Sequence, residues 1–83
     1  MRMLAYQVAA VLEERGSATT AELTLAIRPG VEGRKRKDSN HSIRRILLRL
    51  CERGVVVREG MGMSRTDKGQ AWSTKWRWVG VQA

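Results

Sequence analysis

The amino-acid sequence predicts an α+β fold, mainly α, in which three helices precede a two-stranded β-hairpin. Two observations lead to this prediction. Apolar residues recur at helical spacing in segments that end near residue 54, and they alternate at a spacing of two over residues 72–79. A chain of 83 residues suits one compact domain, so we expect a single domain over residues 1–83.

The first helix is predicted over residues 3–15. Its apolar stripe consists of Leu4, Val8, Val11 and Leu12, at positions i, i+4, i+7 and i+8. Gly16 is a typical helix stop, and residues 16–18 are predicted to form a turn.

The second helix is predicted to start at residues 19–22, Thr-Thr-Ala-Glu, which match a capping box. In such a box, the threonine and glutamate side chains bind backbone N–H groups that lack a helical partner. The inward face is expected to contain Leu23, Ala26 and Ile27. The helix must end before Pro29, because proline disfavours a helical residue in front of it.

Residues 29–38 are predicted to be a loop, since they contain proline, glycine and a charge run but no apolar period. The third helix is expected from Ser39 to just before Gly54, with Asp38 or Ser39 as its cap. Its apolar stripe consists of Ile43, Ile46, Leu47 and Leu50.

The pattern then changes to that of strands. Residues 55–57 are a β-branched run, residues 60–69 resemble a flexible tip, and residues 72–79 alternate with one apolar face. We expect Trp76 and Trp78 in the core, because the chain has no phenylalanine and needs large apolar side chains. Stacking on unpaired bases is the alternative, and it stays most open for Trp72, which lies nearest the tip.

The charge distribution favours a nucleic-acid partner. Sixteen Lys and Arg residues against eight Asp and Glu residues give a net charge of +8, and residues 28–49 alone carry eight basic and two acidic side chains. A ribosomal or membrane-surface protein would also be basic, so charge by itself does not identify the partner.

Other functional classes find no support in the sequence. Cys51 is the only cysteine and no histidine cluster accompanies it, which predicts no metal site and a reducing, cytoplasmic setting. Glu13 and Glu14 follow the short N-terminal apolar stretch where a signal peptide needs small residues, and no run is long enough to cross a membrane. His41 has no recognisable nucleophile or carboxylate partner. We therefore expect no enzyme activity, cofactor or small-molecule substrate.

The order of the predicted elements resembles the winged helix-turn-helix superfamily of bacterial and phage regulators, over residues 4–79. Residues 42–59, SIRRILLRLCERGVVVRE, match it best, and residues 16–23, GSATTAEL, are similar to its entry into the second helix. The apolar and glycine positions that match are Ile43, Leu47, Leu50, Gly54, Val55 and Val56. The predicted connection between the second and third helices, about ten residues, is longer than the family's usual tight turn.

The resemblance implies that the first two turns of the third helix enter the major groove. The residues it assigns to base edges are Ser39, Asn40, His41, Arg44 and Arg45. Cations in the loop, on the helix flank and in the hairpin tip are expected to contact phosphates, which require charge rather than shape. These are Arg34, Lys35, Arg36, Lys37, Arg49, Arg65 and Lys68. A solvated basic face without a ligand is the alternative for the base-contacting set. For residues 34–37 the alternatives are a disordered, solvated charge run or a nuclear localisation signal.

The function implied is sequence-specific binding of double-stranded DNA by a transcriptional regulator, or by a phage or plasmid protein of replication, excision or packaging. Such a protein acts in the bacterial cytoplasm or nucleoid, or in the host cytoplasm if it comes from a phage. We expect a weak homodimer, or dimerisation on DNA, because one domain offers one recognition helix. Two alternatives stay open: a protein-assembly module that uses the outward Leu25 and Leu48, and a nonspecific architectural nucleic-acid-binding protein.

Overall fold

The computed structural model describes residues 3–30, 33–66 and 69–80, with side chains except those of residues 64–71. The elements in chain order are α1 (Met3–Arg15), β1 (Ser17–Thr19), α2 (Thr20–Ile27), α3 (Arg34–Glu52), β2 (Val56–Thr66) and β3 (Gly69–Trp78). This is an α+β arrangement of three helices and a three-stranded antiparallel sheet, in which helix predominates. None of the helices in these ranges is long and apolar enough to cross a membrane.

The predicted boundaries of α1 and α2 are confirmed. α1 ends at Arg15, directly before Gly16. α2 begins with the predicted capping box, because the Thr19 hydroxyl accepts a hydrogen bond from the Glu22 N–H at 3.1 Å and the Glu22 carboxylate accepts one from the Thr19 N–H at 2.8 Å. The predicted inward face of α2 was wrong at Ala26, which is exposed.

The sheet contains a strand that the sequence analysis missed. Residues 17–19 were expected to belong to a turn and the start of α2, but they form β1, which pairs with β3. The strand order is β1-β3-β2, so β3 is central and the predicted two-stranded hairpin is part of a larger sheet. A three-residue strand has no measurable period, and its pairing partners lie 56–60 positions away, with Ser17 opposite Arg77.

The core lies between this sheet and the three helices. Its buried apolar residues are Val8, Leu12, Ala18, Leu23, Ile43, Leu47, Val55, Val56 and Trp76. The expectation for Trp76 is confirmed, since its side chain is fully buried, and Trp78 is half-buried and packs against the same cluster. The Trp76 Nε1–H donates to the Thr20 hydroxyl at 2.9 Å, so its one polar atom is satisfied.

Helix α3 begins at Arg34, five residues before the predicted start. The prediction of a loop over residues 29–38 was therefore wrong for its second half. Neither Asp38 nor Ser39 is the cap, because Gly33 takes that position and no side chain caps the helix. Arginine and lysine are good helix formers, and a turn that extends beyond the core needs no apolar residue. The predicted end before Gly54 is confirmed.

The β2–β3 hairpin is longer than the sequence suggested. β2 continues to Thr66 and β3 resumes at Gly69, so most of the predicted flexible tip forms paired strands. The register shifts once. At this point two residues of β2, Glu59 and Gly60, lie opposite only one residue of β3. Gly60 has a φ of +92°, a conformation that favours glycine, which explains why the β-bulge forms there.

Gly62 allows the hairpin to lie against β1. A Cβ atom at this position would come within 2.8 Å of Thr19 Cγ2 and 3.5 Å of Lys75 Cβ. The first distance is shorter than a carbon–carbon contact permits, so the strands approach each other closely because residue 62 has no side chain.

Candidate nucleic-acid interface

Helix α3 concentrates the positive charge of the protein. It contains seven basic and two acidic side chains, and its first turn contains no acidic residue. Of the basic residues, Arg36 is half-buried and the others are exposed. The seven basic residues are Arg34, Lys35, Arg36, Lys37, Arg44, Arg45 and Arg49.

The first turn of α3 places four consecutive cations at the wrong end of a helix for stability. Helix N-termini carry a partial positive charge and unpaired N–H groups, so cations there are unfavourable and anions are favourable. The Gly33 carbonyl oxygen accepts backbone hydrogen bonds from this turn, at 3.1 Å from the Arg36 N–H and 3.3 Å from the Lys37 N–H. The four charges therefore lie on a helix rather than in the predicted loop.

Two residues assigned to base edges point toward α2 instead. Ser39 is 3% exposed, and its hydroxyl accepts a hydrogen bond from Arg28 Nη1 at 3.4 Å. Asn40 is half-buried, and its Oδ1 contacts the Thr24 hydroxyl. These contacts join α2 and its C-cap residue to α3. Ser39 is not available for a ligand in this arrangement.

The other three assigned residues, His41, Arg44 and Arg45, are exposed. His41 and Arg44 line a cleft of about 260 Å³ between α3, the start of α2 and the β2–β3 hairpin. We call it the hairpin cleft; its remaining lining residues are Thr20, Ala21, Asn40, Met61, Trp72, Ser73 and Thr74. Arg49 does not join them, since it lines a different groove, between α1 and α3.

Strand β3 holds the start of α2 at the floor of this cleft. The Thr20 hydroxyl accepts from Trp76 Nε1 and donates to the Thr74 carbonyl oxygen at 3.4 Å. The Ser73 hydroxyl accepts from the Ala21 N–H at 3.3 Å, which satisfies a helix N–H that the capping box leaves free. The hairpin and α2 are therefore connected by several hydrogen bonds.

The hairpin itself presents apolar side chains that the sequence analysis did not single out. Met61, Met63 and Trp72 are 60%, 47% and 67% exposed. The alternation of Met61 and Met63 could have indicated this apolar surface, but the glycine and small polar residues around them favoured a flexible tip. Of the predicted tip cations, Arg65 belongs to β2, although its side chain is outside the described residues, as is the whole of Lys68.

Among the residues that the structure describes, no three His, Cys, Asp or Glu side chains gather into a group able to hold a metal ion. No protein-family model matches the sequence, and no curated protein is significantly similar to it.

Proposed function

We propose that this protein is a double-stranded DNA-binding domain of winged helix-turn-helix architecture. In this proposal, α3 is the recognition helix and the β2–β3 hairpin is the wing. The N-terminal half of α3 lies in the major groove, and the wing lies along the adjacent backbone. Regulation of transcription, or a phage or plasmid DNA transaction, is the biological role that such a domain serves.

The observation that carries the proposal is the reversed charge at the start of α3. Four cations and no acidic residue occupy the turn where helices normally prefer carboxylates. A polyanion that approaches this turn meets both the side-chain charges and the partial positive charge of the helix N-terminus. DNA phosphates supply that charge at regular spacing, and release of their counterions makes the binding favourable.

Base recognition is assigned to the exposed residues that follow. Arg44 and Arg45 can each donate two hydrogen bonds to O6 and N7 of guanine, and His41 lies one turn earlier on the same exposed side. Asn40 lines the hairpin cleft but also contacts Thr24, so its first role is to position α3. Ser39 is left out because it is buried.

Titration of a preferred duplex and a random duplex at several salt concentrations tests these roles. Lys35→Ala should weaken both complexes similarly and lower the slope of log affinity against log salt by about 0.9, the value for one lost phosphate contact. Arg45→Ala should cost about 1–3 kcal/mol at the preferred site and much less on random DNA. Arg15→Ala, an exposed cation on α1, is the matched control. Equal losses from all three variants would refute the proposal.

A second candidate function, protein assembly, is favoured by the groove between α1 and α3. It measures about 480 Å³ and is lined mainly by apolar side chains, including Leu4, Ile46 and Leu50. Of the two leucines predicted to face outward, Leu25 is 46% exposed, whereas Leu48 is half-buried against the core. This function would be favoured over the first if the free protein sedimented as a stable oligomer and that oligomer had no affinity for DNA.

A further inference from the structure

The hairpin cleft has an apolar wall that neither the fold nor phosphate binding explains. Trp72 and Met61 line it from the hairpin side and remain mostly exposed. Met63 lies directly opposite Trp72 in the strand register, so the two side chains extend the same wall along the hairpin. Large exposed apolar groups that cluster in this way mark binding surfaces.

Core packing explains the position of Trp76 on β3 but not that of Trp72. Trp76 is fully buried, and its indole N–H is bound to Thr20. Trp72 is four positions earlier on the same strand, so the alternation of side chains directs it to the same face, beyond the point where the core ends. Its ring is therefore held at the border of the cleft with much of its surface uncovered.

The opposite wall and the floor of the cleft are polar. Arg44 and His41 line the cleft from α3, and the polar residues Asn40, Ser73 and Thr74 also line it. The cleft thus combines an aromatic surface, hydrogen-bonding groups and a cation within about 260 Å³. A nucleotide has the complementary parts: a flat base with polar edges, attached to a phosphate.

We propose that the hairpin cleft holds one unpaired nucleobase of DNA, stacked on Trp72, beside the duplex bound by α3. This inference rests on the proposed duplex binding and specifies its substrate as a junction between double-stranded and single-stranded DNA. The bases of an intact duplex cover one another's faces and offer only their edges in the grooves. A base outside the stack has a free face, which an aromatic side chain can cover. Arg44 is the cation that lines the cleft.

The test compares three DNAs of one sequence: a blunt duplex, the same duplex with a short single-stranded extension, and a duplex whose extension consists of abasic nucleotides. Both extension polarities are used. The abasic extension retains the phosphates and removes the bases, so it separates stacking from charge. Affinities are measured by fluorescence polarisation for the full chain, with thermal melting of each variant to verify folding.

We expect the wild-type protein to bind the extended duplex more tightly than the blunt and abasic ones. Trp72→Ala should remove this preference. Its affinity for the extended duplex should fall by roughly 5- to 150-fold, the range for loss of one aromatic stacking partner, and its affinity for the blunt duplex should stay unchanged. Trp72→Phe should keep most of the preference. Tyr6→Ala is the matched control, because Tyr6 is 75% exposed on α1 and lines the other groove.

Other outcomes overturn the inference. Equal wild-type affinity for all three DNAs, or equal affinity for the extended and abasic duplexes, would exclude a base in the cleft while leaving duplex binding intact. An equal loss on every DNA in Trp72→Ala would indicate that Trp72 inserts into an intact duplex instead. No binding to the blunt duplex by the wild-type protein would refute the proposed function itself.

Discussion

Reversal of one charge in the first turn of α3 should change stability and DNA affinity in opposite directions. Lys37 is exposed, and neither of the residues three and four positions after it, Asn40 and His41, is acidic. Lys37→Glu places a carboxylate near the positive end of the helix and three positions after Arg34, where an ion pair is favourable. The substitution removes a cation from the proposed phosphate contacts at the same time.

The gain in stability follows from those two terms. A favourable charge near a helix terminus adds about 0.3–1 kcal/mol to the free energy of unfolding. Charge reversal removes an unfavourable charge and adds a favourable one, so this contribution applies twice. The ion pair with Arg34 adds about 0.2–0.5 kcal/mol. With allowance for solvent screening, we expect about 1 kcal/mol, which raises the melting temperature of a domain this small by roughly 4–8 °C. The gain should shrink at high salt, because salt screens the helix dipole.

Thermal melting and duplex titration of the same samples measure the two effects. The control is Arg15→Glu, which changes the net charge equally but lies in the last turn of α1, where a cation is favourable. It should lower the melting temperature and keep the salt dependence of DNA binding. The reasoning would be refuted if Lys37→Glu destabilised the protein, or if it stabilised the protein and bound DNA as tightly as the wild type.

The structure leads to two further predictions, and the proposed function leads to a third. Gly62→Ala should destabilise the fold by about 1–3 kcal/mol in urea unfolding because of overpacking, and a second change, Thr19→Ser, should recover most of the loss since it removes the clashing methyl group and keeps the capping hydroxyl. Thr20→Val should cost about 1–3 kcal/mol by leaving the Trp76 N–H unpaired in the core, whereas Trp76→Phe in the Thr20→Val background should cost less than in the wild type. Sedimentation with a specific duplex should find two copies of the chain per site, on half-sites roughly 34–36 Å apart or a multiple of that, and one copy at saturation would contradict this.

The sequence predicted those parts of the fold in which a local pattern coincides with the core. The boundaries of α1, the capping box of α2 and the burial of Trp76 depend on neighbours within a few residues or on one strong alternation. β1 depends on pairing with a distant strand, and no pattern in three residues announces it. The start of α3 lies beyond the core, where apolar periodicity is not required.

The candidate site was predicted unevenly for a similar reason. The helical positions of His41, Arg44 and Arg45 agree with their exposure. Ser39 lies four residues before the buried Ile43, so helical spacing itself places it on the inward side, but the resemblance to a family assigned it outward. The hairpin cleft could not be predicted, because it depends on the register that brings Met63 opposite Trp72 and on the approach of the hairpin to α3.

The β-bulge in β2 bears on how copies of this protein behave when they are crowded together. β2 is an edge strand of eleven residues, and a flat edge of that length can recruit a strand from another molecule. The extra residue at Glu59–Gly60 interrupts the regular repeat of backbone groups and bends the edge into two shorter pieces. Arg58 and Glu59, both exposed, add charges beside the interruption. The bulge thereby opposes edge-to-edge aggregation between copies of the protein.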